Sequence, residues 1–271
     1  VRAPAPPGRN VGARGEDVEA GRLLLEPGRR LRPQDVGLAA SVGRGELTVH
    51  RPLRVDVLVT GDEVLLPGSA PRPGHIWDAN GTMLSALVRR DGGAARTVHV
   101  PDGRGSVEAA MQGAEGDVVL VSGGSSVGEE DHAPRVLAEQ GELAFHGVLL
   151  RPASPSGAGR LGGRLVFLLP GNPVSCLSGY DFFAGRALRR AASGDPSWPY
   201  RSVELPLGAK LTSGIGRMDY VRVRIEDACV LPVMSRGASI LSSTTEADGF
   251  VVVPLDLEGW PEGRMVTVWR Y

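Results

Sequence analysis

The sequence predicts an α/β protein in which a parallel sheet carries helices on its faces and a small all-β unit follows. Three observations carry this prediction. Strand and helix signals alternate from residue 55 to residue 190, the pattern of right-handed βαβ units. Three apolar runs end in polar or glycine-bearing turns that lead towards helical segments: Thr60-Gly61-Asp62-Glu63, Ser122-Gly123-Gly124-Ser125-Ser126-Val127-Gly128 and Leu169-Pro170-Gly171-Asn172-Pro173. Beyond a turn-rich stretch at 194–199 the period changes to the two-residue alternation of strands.

Taken in order, residues 1–15 hold too few apolar side chains to anchor themselves and are expected to be flexible. The chain starts at Val1 rather than at a methionine, so further sequence upstream is expected. Residues 16–52 are too few for an independent domain; Leu23-Leu24-Leu25 predicts a strand, and 33–40 a short helix with Pro33 in its first turn. Within 53–195 the expected strands are 55–59, 97–100, 117–121, 145–150 and 165–169. Helices are expected at 81–90, with Asn80 as its cap, at 106–112, at 133–140, and after Asn172-Pro173. That last helix presents Val174, Leu177, Tyr180, Phe183, Ala184 and Leu188 on a broad apolar face. In the 200–271 unit, 220–225, 249–254 and 265–269 read as strands, and no internal repeat is visible.

Composition excludes several function classes. With 30 basic and 31 acidic residues the chain has no general electrostatic attraction to nucleic acid or to a membrane surface, so any anion site must be local. Lys210 is the sole lysine. No apolar run reaches the roughly 18 to 20 residues that span a bilayer, and no signal peptide opens the chain, so a cytoplasmic protein is expected. Cys176 and Cys229 stand far apart, and Cys176 reads as a buried thiol of a reducing compartment. No two of the five histidines have metal-site spacing, so zinc is not expected.

The three turns would meet at the carboxyl edge of a parallel sheet, where ligands bind. Asp62 and Glu63 place two carboxylates there, followed by Asp78 and Asn80; read alone, either of the latter serves equally as a helix cap. Asp131 has the same two readings for the third helix. Gly123-Gly124 lets backbone approach a ligand closely, and Ser122, Ser125 and Ser126 offer hydroxyls. Pro170-Gly171-Asn172-Pro173 is explained either as a capped strand-to-helix turn or as a stiff, preorganised binding loop.

In combination these blocks resemble the molybdopterin molybdenumtransferases, the MoeA family, in a gephyrin E-domain-like form. The family's TGDE, D-[ST]-N, SGGVSVG-x-x-D and LPGNPVS blocks stand here in order as TGDE, DAN, SGGSSVGEED and LPGNPVS. The tail, with Gly216-Arg217-Met218-Asp219-Tyr220-Val221-Arg222 and Ser239-Ile240-Leu241-Ser242-Ser243, is similar to the family's C-terminal domain. The resemblance implies a MoaB/MogA-like molybdopterin-binding domain at 53–195, a C-terminal β domain at 200–271 and a remnant of the N-terminal linking domain at 16–52. It also implies insertion of molybdate into adenylylated molybdopterin with release of AMP, with Mg2+ as the divalent ion.

By position, Glu63, Asp102 and Asp131 would be the catalytic and metal-binding acids. Asp62, Asp78, Asn80 and the Ser122–Gly128 loop, with Gly123, Gly124, Ser125, Ser126 and Gly128, would hold the phosphorylated pterin, and Pro170, Gly171, Asn172 and Pro173 would shape the cleft. Arg151, Ser154, Arg217 and Ser239 would form the molybdate site. Three features depart from the pattern. The family's K-P-G-K-P stands as Arg151-Pro152-Ala153-Ser154-Pro155, a lysine after the SGG block is replaced by Pro134, and the family's N-terminal region with its inserted β domain is not among these residues. A homodimer, supplied by a molybdopterin adenylyltransferase, is implied. Two other readings stand beside this one: a non-catalytic molybdopterin-binding scaffold, and a nucleotide-processing enzyme of the competence-damage-inducible type, against which LPGNPVS and the β tail argue.

Overall fold

The computed structural model describes residues 8–124, 131–233, 237 and 239–271. The chain forms two compact units, the first ending at Val49 and the second running from His50 to Tyr271. In the first, helix α1 (Pro33–Ser41) begins with proline at its first position, and Asp35 reaches back to accept the Arg32 N–H at 2.9 Å. The Arg32 and Arg29 guanidinium groups hydrogen-bond the Asp35 carboxyl and hold it well below the usual carboxylate range. The strand expected at Leu23-Leu24-Leu25 does not form, because this short run finds no partner ladder and Leu23 stays exposed. Of the segment expected to be flexible, residues 1–7 lie outside the described residues.

The second unit opens with β1 (Leu53–Thr60), the short parallel pair β2 (Val64–Leu65) and β3 (Ile76–Trp77), helix α2 (Asn80–Arg90) and β4 (Gly93–Val100). It continues through α3 (Arg104–Gln112), β5 (Val118–Ser122), α4 (His132–Gln140), β6 (Glu142–His146), β7 (Leu150–Arg151), β8 (Gly157–Leu161) and β9 (Arg164–Leu169). The main sheet has the order β4-β1-β5-β9-β8-β6. Its first four strands are parallel, as the alternating pattern predicts, and β8 and β6 extend one edge antiparallel. Both faces are covered, which is why the strands read as continuous apolar runs. Val55, Val57, Val59, Leu120 and Leu169 pack against Leu84 and Val88 of α2 and against the last helix, while Leu58, Val119, Val121 and Leu168 pack against Val107, Met111, Val136 and Leu137 of α3 and α4.

One expected strand is corrected. Residues 145–150 do not continue straight: after β6 the chain turns, with Gly147 N–H donating to Ser156 O and Val148 N–H to Ser154 O, and β7 leaves the main sheet. The place beside β6 is taken by β8, whose glycines hide it from a propensity reading. A Cβ on Gly159 would stand 2.0 Å from Glu142 O, so only glycine permits that pairing.

After β9 come α5 (Pro173–Gly179), a π-helical turn at Tyr180–Ala184 and α6 (Gly185–Ser193), with Val174, Tyr180, Ala184 and Leu188 fully buried as their spacing predicts. The C-terminal part then adds β10 (Arg201–Pro206), β11 (Leu211–Thr212), β12 (Met218–Glu226), β13 (Cys229–Pro232), α7 (Ser242–Thr245), β14 (Gly249–Val253), β15 (Gly259–Trp260) and β16 (Met265–Arg270). Its main sheet runs β10-β16-β14-β12-β13 over a core of Leu207, Val223, Val230, Val251, Val253, Val266 and Val268, and β7 adds to β12 in parallel. Among the described residues no helix is long and apolar enough to cross a membrane.

Asp56, on buried strand β1, ties the sheet's amino edge. It accepts N–H groups from Glu115 at 2.7 Å and Gly116 at 2.9 Å and a two-pronged bond from Arg96 at 2.8 and 3.1 Å. Burial raises its pKa, but the Arg96 and backbone hydrogen bonds outweigh burial and hold the carboxyl below its ordinary range. Its folded pKa is therefore below the unfolded value near 4, so the stability it contributes is complete above that pH and lost as pH falls through the folded value. Asp56→Asn is expected to cost about 1 to 3 kcal/mol at neutral pH and to flatten the decline on the acid side. Urea unfolding measured from about pH 3 to pH 7 checks both; an unchanged acid slope would refute the assignment.

Candidate functional site at the carboxyl edge and the β7–β12 pocket

The ends of β1, β5 and β9 lie side by side, and their turns are in contact. A Cβ on Gly123 would stand 2.7 Å from Thr60 Oγ1 and 2.8 Å from Thr60 O, and Gly123 has φ +92°, so the SGG turn is seated directly on the end of β1. Gly123 N–H donates to Leu169 O at 3.2 Å, and the nearest neighbour of a Cβ on Gly171 would be the Gly123 Cα at 3.5 Å. Asn80 closes the arrangement. Its Nδ2 donates to Ser122 Oγ at 2.9 Å and to Gly171 O at 2.7 Å, binding the turns after β5 and β9 to the start of α2.

Asn80 is thus not the cap of α2 that the spacing suggests. It is the first helical residue, and the buried Gly81 N–H, which has no intrahelical acceptor, is taken by Asp78 Oδ1 at 2.7 Å. The other Asp78 oxygen meets His99 Nε2 at 2.9 Å. Asn172 precedes α5, yet its side chain makes no capping bond and remains exposed; its carbonyl accepts the Cys176 N–H instead. Asp131 precedes α4 in the same way, without a side-chain capping bond. Pro170 is buried and Pro173 starts α5, so both stiffen the turn. Pro134 is buried in the first turn of α4, where a missing N–H leaves no intrahelical bond unmade.

Among the acids, Asp62 and Asp102 exchange hydrogen bonds across the edge. Asp62 N–H donates to Asp102 Oδ2 and Asp102 N–H to Asp62 Oδ1, each at 3.0 Å. Glu63 folds back over Gly61 in the same loop. Among the described residues no three acidic, histidine or cysteine side chains are grouped to hold a metal ion. Ser125, Ser126 and Gly128 lie outside the described residues. Cys176 faces Ser122 Oγ at 3.7 Å, and burial pushes its thiol up to about 12, so it is an inert packing group at neutral pH. Two buried polar atoms at this edge, Thr60 Oγ1 and Asn80 Oδ1, have no hydrogen-bond partner among the described residues. Thr60, read only as part of its turn, and His99, which belongs to no recognisable spacing, were not named as site residues from the sequence.

A second concavity of about 660 Å³ lies where β7 meets β12, lined by Arg151, Pro152, Ser213, Asp219, Arg222 and neighbouring residues. Arg151 forms an ion pair with Asp219, which also accepts a hydrogen bond from Ser213 Oγ at 2.7 Å. Arg222 is buried and donates to Ser243 Oγ; burial lowers its pKa. Of the four residues expected to gather here, Arg151 lines the cavity. Arg217 is exposed beside Gly214, which also lines it, and Ser239 is exposed. Ser154 is exposed too, with its hydroxyl spent on Leu150 O at 3.0 Å. Arg222 and Asp219 were missed as site residues because an alternating strand pattern does not distinguish a solvated arginine from a buried one.

Comparison with known proteins gives three family matches along the chain: MoeA N-terminal region (domain I and II) over residues 1–43, probable molybdopterin binding domain over 56–190, and MoeA C-terminal region (domain IV) over 204–271. Molybdopterin molybdenumtransferase 2 of Mycobacterium tuberculosis is 34% identical over 286 residues, covering 99% of this chain and 69% of that protein. A protein of Methanocaldococcus jannaschii named for molybdopterin biosynthesis is 31% identical over 274 residues, covering 97% of this chain and 66% of that protein. The crystal structure of a molybdopterin biosynthesis MoeA protein from Pyrococcus horikoshii superposes with a TM-score of 0.83 at 33% identity, over 94% of this chain and 64% of that one. The chain therefore spans about two thirds of the length of these relatives.

The contact of the SGG turn with Thr60 leaves no room for a side chain. Gly123→Ala is expected to lower stability by about 1 to 3 kcal/mol, because the methyl group meets strand backbone and φ is unfavourable. Asn80→Ala removes two bonds and leaves Gly171 O and Ser122 Oγ without that donor, at a similar cost of about 1 to 3 kcal/mol. Denaturant melts of the two variants check this, and wild-type stability in both would show that the edge is not held together as described.

Proposed function

The chain belongs to the MoeA family, and on that premise we propose that the full-length protein inserts molybdate into adenylylated molybdopterin with release of AMP, as a cytoplasmic homodimer supplied by a molybdopterin adenylyltransferase. The observation that carries this reading is the carboxyl edge itself, where the SGG turn is seated on Thr60 and tied by Asn80 to the PGNP turn. Successive glycines at positive φ let backbone approach an oxyanion without a side chain intervening, which suits the phosphate side of the pterin. Thr60 Oγ1 and Asn80 Oδ1, buried and unpartnered among the described residues, are the polar atoms that a ligand placed there would satisfy. Asp62, Asp78, Pro170, Gly171, Asn172 and Pro173 are proposed to shape the same cleft.

Glu63, Asp102 and Asp131 are the acids proposed to act around substrate and Mg2+. An all-oxygen donor set suits magnesium, an ion that keeps several waters and is commonly held in part by substrate phosphates. Bound there, magnesium would offset the negative charge of the substrate's phosphates. The β7–β12 pocket, with Arg151 and Arg222 on its wall and Arg217 and Ser239 exposed in the same C-terminal part, is proposed as the molybdate site. The match to the MoeA C-terminal region over 204–271 argues against the competence-damage-inducible reading.

A scaffold that binds molybdopterin without turnover is the second reading. It is favoured by Arg151 being paired to Asp219 and by Ser154 standing where the family carries a cation. Restoration of a molybdoenzyme in cells lacking their own transferase, by the full-length protein, separates the two. Restoration supports the transferase; its failure with folded protein supports the scaffold.

A further cation would compensate molybdate's second charge. Ser154→Lys is expected to tighten molybdate binding by roughly ten- to a hundredfold at one fixed salt concentration, the scale of one charge-assisted hydrogen bond. Calorimetry checks it. Binding by wild type as tight as by the variant would mean that the arginines already suffice.

A further inference from the structure

We infer that Asp219 is an internal counter-anion that competes with a tetrahedral oxyanion for Arg151 and so sets the affinity of the β7–β12 pocket. This rests on reading that pocket as the molybdate site. The two residues are placed together by backbone register: Arg151 lies opposite Asp219 where β7 adds to β12. The Asp219 side chain is 1% exposed and that of Arg151 is 45% exposed, so the carboxylate is sealed into the wall while the guanidinium reaches the cavity. Among the described residues Arg151 is the cation within ion-pair distance of Asp219.

Asp219 is also short of partners. Oδ2 receives Arg151 and Ser213, but Oδ1 is buried and receives no donor among the described residues. A buried carboxylate in that state depends on its counter-charge, because losing it leaves a desolvated charge uncompensated. Arg151 has spare N–H groups to offer an anion, since a guanidinium carries five. Its charge, however, is already offset. The ionic groups among the described lining residues are Arg151, Arg222 and Asp219, which sum to a single positive charge facing a dianion. Removing the Asp219 charge adds one unit to that compensation while an amide of the same shape keeps the wall packed.

The test uses tungstate as the probe, titrated calorimetrically into the full chain, with circular dichroism to confirm folding. Asp219→Asn is expected to bind tungstate about tenfold more tightly than wild type, and the double variant Asp219→Asn/Arg151→Gln to lose that gain. Unchanged or weaker binding by Asp219→Asn overturns the inference, as does a gain that survives without Arg151. If Asp219→Asn does not fold, Ser213→Ala serves: with its neutral donor gone, Asp219 holds Arg151 harder, and tungstate binding is expected to weaken a few-fold; equal or tighter binding overturns the inference. Wild type and variants that all fail to bind tungstate overturn the oxyanion reading of the pocket itself, a result distinguishable because it does not depend on position 219.

Discussion

Leu150 and Arg151 turn away from the edge of the main sheet and pair in parallel with Met218 and Asp219, and what the C-terminal sheet offers a ligand depends on that two-residue ladder. Without it the first residues of β12, which β13 does not reach, would lack a partner on that side, and Arg151 would be a surface cation. With it the two sheets share a wall, Asp219 becomes buried, and a concavity opens between them. The turn that redirects the chain is held by Gly147 and Val148 donating to Ser156 and Ser154 carbonyls, so Ser154 contributes to the shape of the pocket through its backbone and not through charge.

Beneath this ladder the same two parts are joined by aromatic rings. Phe182 meets Trp198 and Tyr220, Trp198 meets Phe250 and Trp269, and Tyr220 stacks on Phe250 at 4.3 Å between centroids. The π-helical turn carries Asp181 into this layer, where it accepts from Tyr200 and Arg90. Burial pushes its carboxyl up to about 6, against the attraction of Arg90. Asp91, beside it, takes donors from Tyr180, Arg189 and Arg90. Such a network costs desolvation and returns one geometry, which fixes how helices α2 and α6 meet the C-terminal strands.

The two candidate binding regions differ in kind. At the carboxyl edge, recognition is built from backbone and neutral groups, with Thr60, Asn80 and the glycine turn in contact and the acids Asp62 and Asp102 engaged with each other's backbone. In the β7–β12 pocket it is built from charge, in the form of Arg151, Arg222 and a buried carboxylate. An edge of the first kind selects by shape and close approach, whereas a pocket of the second kind responds to the sum of its charges.

The sequence by itself determined the alternation of β1, α2, β4, α3, β5, α4 and β9, the long apolar face after Asn172-Pro173, the all-β tail and the gathering of three turns on one edge. These follow from period, caps and apolar runs, which are local properties that a chain displays in one dimension. Tertiary structure alone decided the rest. It made Asn80 a tie between turns where the pattern allowed a cap, left Leu23-Leu24-Leu25 without a partner ladder, admitted the glycine-bearing strand β8, and sent β7 to the other sheet. It also buried Asp219 and Arg222, whose burial the strand pattern left undecided. The physical reason is that partners come from outside the local window, as with Arg151 and Asp219, 68 positions apart, or Asn80 and Gly171, 91 apart, and no local pattern records which group will arrive.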